Sequence, residues 1–260
     1  MLFKLNEILL FLGLVAIYWV ATEIGFRIGL RGRAHAEASD RTHVSSLQNA
    51  LLGLLALLLG FSFAMAVTRY DLRKSLVLKE ANAIGTNYLR TEFLPADQGR
   101  VARKLLRTYV DARLTYVDTR TKEANLEEIY TATAALQAQL WSIATAAGIQ
   151  DPRSIPAGLF ISSLNDVIDV SEERRTALED HVPGAVLALL IAVSCGALGF
   201  IGSSSGLAGR KQRVPTITFT IMSALVLVVI LDMDRPRHGL IQVSQGSMLR
   251  LQASLAADTH

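Results

Sequence analysis

The stretch Ala50-Leu-Leu-Gly-Leu-Leu-Ala-Leu-Leu-Leu-Gly-Phe-Ser-Phe-Ala-Met-Ala-Val67 carries one polar side chain, Ser62. As a helix it would rise ~27 Å, close to the ~30 Å of bilayer hydrocarbon, so an uncharged run of this kind reads as a membrane helix. Three more such stretches stand at residues 8–28, 182–201 and 214–231, and the four are grouped two and two around a charged middle. A soluble core has no use for four of them. The expected fold class is all-α: four transmembrane helices (2+2) with an inserted extramembrane helical bundle. The expected organisation is a first transmembrane hairpin over 1–67, an extramembrane helical domain over 68–181, a second hairpin over 182–231 and a C-terminal tail over 232–260.

Composition narrows the function classes. The chain has 260 residues, 51% of them hydrophobic, and a net charge of +3, too small an excess to imply a nucleic-acid partner. Lysines and arginines at membrane edges are explained by lipid headgroups and by orientation. The single cysteine, Cys195, excludes an intrachain disulfide framework. Lys4 followed by an apolar run imitates a signal peptide, but Glu7 spoils its positive start and no small-x-small cleavage site follows, so the run is an anchor. Glu23 and Arg27 interrupt the first stretch four residues apart, where a helix lets them pair near the membrane edge.

The middle is helical throughout. Beyond Val67 nothing breaks the helix until Pro95, so the second stretch continues as one long helix whose second half leaves the bilayer. Asp97 can cap the next helix, with Val101, Leu105, Tyr109, Ala112 and Tyr116 as its apolar stripe. Leu126, Ile129, Thr133, Leu136, Leu140, Ile143 and Ala147 alternate three and four apart, an a/d seam expected to pack within the chain. Ser154 and Pro156 open a further helix with Phe160, Leu164 and Val167 inward.

Few residues point to catalysis. Gly202-Ser-Ser-Ser-Gly206 matches the G-x-S-x-G pattern of a nucleophile elbow but lacks the strand that motif requires, and it reads as a flexible loop. The histidines show no metal-ligand spacing, and neither a calcium loop nor a phosphate-binding glycine loop is present. The expectation is a non-enzyme with no cofactor and no metal. Gly184, Ala188, Ala192 and Gly196 place small residues on one helix face, suited to helix packing within the four-helix unit or, alternatively, between subunits or along a pore. Asn49, Gly53, Ala56, Gly60 and Ser62 on the second stretch are the pore-lining candidates. At the membrane exits, Arg69, Asp71 and Arg73 would meet Asp232, Asp234, Arg235 and Arg237 in a charge network. That network is either a structural latch or an ion-binding or gating site.

These exits also carry a resemblance. Leu59-Gly-Phe-Ser-Phe-Ala-Met-Ala66, Arg69-Tyr-Asp-Leu-Arg73, Glu80-Ala-Asn-Ala-Ile-Gly-Thr86 and Tyr88-Leu-Arg90 resemble the bestrophin-like family of membrane proteins. Asp232-Met-Asp-Arg-Pro-Arg-His-Gly-Leu-Ile241 with Val243-Ser-Gln245 resembles its closing motif. True bestrophins, more distantly similar, are pentameric anion channels with four membrane helices per subunit, cytosolic termini and a cytosolic helical region between the second and third helices. The resemblance therefore implies a homo-oligomeric ion pathway in the plasma (inner) membrane, with lipid and small ions as partners, a pentameric assembly, and helical domain and termini in the cytoplasm. Basic residues alone leave the orientation open, since their total favours that side and their density in short loops the other. The chain departs from true bestrophins in lacking the acidic cluster of their calcium clasp, and only Phe61 and Phe63 stand for their aromatic pore neck. The alternative function is a non-conducting membrane scaffold or sensor whose helical domain binds a partner.

Overall fold

Apolar runs with no turn residues inside them can satisfy their backbone only as helices, and the computed structural model of the chain is built from little else. It describes residues 7–34, 38–117, 126–235 and 240–258. In chain order the helices are α1 (Glu7–Gly32), α2 (Ala38–Arg90), α3 (Ala96–Val117), α4 (Leu126–Gln150), α5 (Ile155–Glu179), α6 (Gly184–Ala208), α7 (Arg213–Met233) and α8 (Gly246–Ala257). Among the described residues there is no strand, and four helices are long and apolar enough to cross a membrane.

The chain divides into two compact units. The membrane unit draws on Met1–Arg69 and His181–Arg235, the helical unit on Tyr70–Asp180 and Gln242–His260. Helix α2 contributes to both. Its 53 residues rise ~80 Å, far more than one hydrocarbon core needs. It ends in a 3₁₀ turn at Thr91–Phe93, after which Pro95 holds Leu94 extended at φ −87°, ψ 157°.

The core of the helical unit gathers Ile84 and Tyr88 of α2, Leu106 and Tyr109 of α3, Leu140 and Ala144 of α4, and Phe160, Leu164 and Val167 of α5. The seam of α4 packs within the chain, with Thr133, Leu140 and Ala147 buried. Ser154 caps α5 by accepting the Ala157 amide at 3.2 Å, as its place before Pro156 predicts. Residues 246–257 of the expected tail form α8, which buries Met248 and Leu255 in this core.

Two expectations for this unit need correction. Helix α3 begins at Ala96, so Asp97 sits in its first turn and pairs with Arg100 instead of capping. Its buried stripe is Ala102, Leu106, Tyr109, Val110 and Arg113, while Val101 is 53% exposed. The expected stripe was rotated because the true one contains an arginine, which a hydrophobicity pattern rejects. Tyr109 belongs to both stripes; burial pushes its phenol above the usual tyrosine range, with the Glu80 charge adding to the shift.

Candidate functional site

The membrane unit is held by glycines. Van der Waals packing joins helices in lipid, and it improves as backbones approach. A Cβ at Gly25 would collide with the Gly199 carbonyl, one at Gly29 with that of Ser203, one at Gly202 with that of Thr22 and one at Gly206 with that of Phe26. Helices α1 and α6 therefore meet backbone to backbone along Gly25-Phe-Arg-Ile-Gly29 and Gly202-Ser-Ser-Ser-Gly206. The latter segment is not the loop expected from the sequence. It is the last part of α6, which stops only at Gly209 in the left-handed region, φ 71°.

The predicted packing stripe lies elsewhere. Gly184, Ala188 and Ala192 are exposed and Gly196 is half-buried, and a Cβ at either glycine would meet nothing within 4 Å. Four-residue spacing of small residues is shared by both faces of α6, and only the partner helix decides between them.

Helix α2 presents two opposite faces. Leu55, Ser62 and Ala66 are buried, whereas Asn49, Gly53, Ala56 and Gly60 are exposed. At 100° per residue, Ser62 points half a turn from Gly53. Ser62 thus stands apart from the other four pore-lining candidates, which share one exposed face. At Gly53 and Gly60 that face has free space, with nothing within 4 Å of a Cβ. Phe61 flanks it at 64% exposure.

At the exits, both acids accept backbone amides. Asp232 accepts the amides of Leu240 and Ile241, both at 2.8 Å, pinning that segment to the end of α7. Asp234, fully buried at the end of α7, accepts the Val182 amide at 2.9 Å. Val182 precedes Pro183, where α6 has not begun, so its amide has no helical acceptor. His181 Nδ1 lies 3.1 Å from the Asp234 carbonyl. Arg235 is also buried, and Arg237 lies outside the described residues. In the helical unit, buried Arg73 donates to the Ala177 and Asp180 carbonyls at 2.8 and 2.7 Å, closing the C-terminal end of α5, while Asp71 is exposed. Arg69, in the membrane unit, is half-buried. Asp234→Ala is expected to strand the Val182 amide and cost about 1–3 kcal/mol. Asp234→Asn, which keeps an acceptor oxygen, should melt nearer the parent, as thermal unfolding in detergent would report.

The charged centre of the helical unit was not foreseen from the sequence. Glu80 has no exposed surface. One carboxylate oxygen lies 2.6 Å from Arg113 Nε, and the other bonds Arg174 Nη1. Arg174 reaches on to Gln245 Oε1 at 2.6 Å, and Gln245 in turn donates to the Val243 carbonyl at 3.0 Å. Two turns on, Asn87 donates to the Phe160 carbonyl at 3.1 Å and to Ser163 Oγ at 2.9 Å. The motifs at Glu80–Thr86 and Val243–Gln245 are distant in sequence and meet on the Arg174 guanidinium. A single carboxylate facing two arginines in a dry core fixes how α2, α3, α5 and the segment before α8 come together. The lone acid on the buried face that Glu80 shares with Ile84 and Asn87 was the available signal.

Comparison with known proteins adds the family. No curated protein matches the chain in sequence. Among solved structures, a bacterial bestrophin homologue from Klebsiella pneumoniae is similar in fold, with a TM-score of 0.68 at 16% identity over 97% of this chain and 98% of that one. A single-substitution variant of that homologue gives 0.65 at 16% identity over 97% and 98%. A structure described only as a membrane protein variant gives 0.65 at 15% identity over 97% and 98%. At such identities the likeness concerns the fold. The model of the Bestrophin-like domain, however, matches residues 15–248, nearly the whole chain. This integral membrane protein, with four spanning helices, belongs to the bestrophin-like family.

Proposed function

We propose that the chain is one subunit of a homo-oligomeric ion pathway, with the open face of α2 turned to the lumen. The observation that carries this reading is the division of α2 into a buried face at Leu55, Ser62 and Ala66 and an unfilled face at Asn49, Gly53, Ala56 and Gly60. Small side chains leave room beside a helix. One chain of four helices encloses no pore, so the room acquires a use only when copies assemble. The family and the bestrophin homologues of like fold support a channel, and their similarity extends the expectation of a pentamer with the helical unit in the cytoplasm of an inner-membrane protein. On this reading the exits at Asp232 and Asp234 serve as a latch, because backbone amides occupy their carboxylates.

The test is ion flux into vesicles holding the purified protein, alongside the mass of the particle in detergent. Gly60→Phe is expected to lower flux at least tenfold without lowering the melting temperature, since its Cβ meets open space and a mid-helix glycine is itself unfavourable by about 1 kcal/mol. Ser62→Ala should leave flux unchanged. A monomeric particle, or flux indifferent to Gly60→Phe, would remove the proposal.

A second reading rests on the surface of the helical unit, where Leu89, Ile149 and Ile155 are 68%, 74% and 77% exposed. If silent vesicles accompany a stoichiometric protein partner captured on this unit, the chain is a scaffold or sensor.

A further inference from the structure

The membrane unit contains a half-open cleft of about 350 Å³ between α1, the end of α6 and the start of α7. It is independent of the α2 face and of the exits at Asp232 and Asp234. Its walls are mainly apolar, with Trp19, Phe26 and Ile217 beside the hydroxyls of Thr22, Ser205 and Thr216, and Glu23, Lys211 and Arg213 supply its charges. Glu23 is already answered from both sides: Arg27 Nε lies 3.1 Å from one oxygen and Lys211 Nζ 2.9 Å from the other. The face of Phe26, which could take a cationic ligand, is occupied by the same Lys211 ammonium at 4.5 Å from the ring centre. A cation from outside would therefore displace the chain's own lysine.

An anion meets the opposite situation. Arg213 is exposed in the cleft and has no acidic partner among the described residues. Glu23, Arg27, Lys211 and Arg213 sum to two positive charges, and Arg33, packed beside Gly209, and Arg210 add to the same end of the unit. Gln212 contributes no side-chain cap, so the positive end of α7 is uncapped at the same place. The opening lies at the end of α6 and the start of α7, and Trp19, midway along α1, stands in it half-exposed. A volume of this size takes a headgroup and the first methylenes of a chain, and basic pockets between membrane helices bind anionic lipid in this manner.

We propose that this cleft is a binding site for an anionic phospholipid, with the phosphate on Arg213 and Lys211 and the upper acyl chain along Trp19 and Ile217. Trp19 reports on its own site. The chain has two tryptophans, so Trp141→Phe leaves Trp19 alone. That protein is reconstituted into phosphatidylcholine vesicles containing either brominated phosphatidylglycerol or brominated phosphatidylcholine, the bromines near the top of the chain. The expected result is that the anionic lipid quenches Trp19 at a severalfold lower fraction than the zwitterionic one. Adding Arg213→Gln should reduce that preference roughly fivefold, the usual contribution of one basic side chain, and Arg213→Lys should keep most of it. Equal quenching by the two lipids overturns the proposal without any change at Arg213, and so does an undiminished preference in Arg213→Gln. If inorganic phosphate relieves the anionic quenching more than matched chloride does, the cleft takes a soluble phosphate and the lipid assignment falls.

Discussion

Gly202→Leu is expected to separate α1 from α6 and to destroy the folded membrane unit in detergent. Extra atoms in a packed core ordinarily cost about 1–3 kcal/mol, because side chains around them can shift. Here the Cβ alone would strike the Thr22 carbonyl and lie 2.9 Å from the Phe26 amide nitrogen, so the obstacle is backbone on a rigid helix. The loss should therefore exceed that range, with Gly29→Leu behaving alike against Ser203. The control is Gly184→Ala with Gly196→Ala, where a Cβ meets nothing within 4 Å. That pair should melt with the parent or slightly above it, as replacing a helical glycine by alanine gains up to about 1 kcal/mol per site. Melting temperature and monodispersity on size exclusion decide the matter, and a Gly202→Leu protein as stable as the control would refute the close contact.

Glu80→Ala should be the most damaging substitution in the helical unit. It removes the carboxylate that holds Arg113 and Arg174, whose side chains are only 2% and 3% exposed. Removing one partner of a buried ion pair costs about 3–5 kcal/mol, because a charge is left in a dry site. The replacement of all three residues by leucine or methionine separates this cause from simple loss of packing. Buried ion networks exchanged whole for apolar side chains are often neutral or stabilising. The triple variant should accordingly melt well above Glu80→Ala, and helical circular dichroism against temperature gives the comparison. If the triple variant were as unstable as the single one, uncompensated charge would not be the cause.

The elements legible in the sequence are those that one strong physical constraint governs. An apolar run long enough to cross hydrocarbon has a single low-energy solution, so the four spanning helices and the continuation of α2 past Val67 could be read directly. The α4 seam was legible because apolar residues at three and four repeat only on one helix face. Ser154 and Pro156 marked the start of α5 through local chemistry alone.

Failures came where the deciding contact belongs to a partner. The stripe Gly184, Ala188, Ala192 and Gly196 and the segment Gly202–Gly206 both offer small residues at helical spacing, and nothing within α6 tells which one meets α1. Ser62 was grouped with Gly53 and Gly60 by composition, although the helix turns it to the other side. Arg113 and Arg174 are charged, and nothing in their local sequence marks them as buried; only Glu80, ninety-four positions from Arg174 in the chain, makes their burial tolerable. The cleft beside Trp19 needed Lys211 to travel back onto Glu23, a separation of 188 residues. Solvent preference thus determined from the sequence alone that this protein lives in a bilayer and is built of helices. Which small residues touch, which charges hide and where a ligand-sized space opens depend on pairwise distances between remote segments, and only the tertiary structure supplies those.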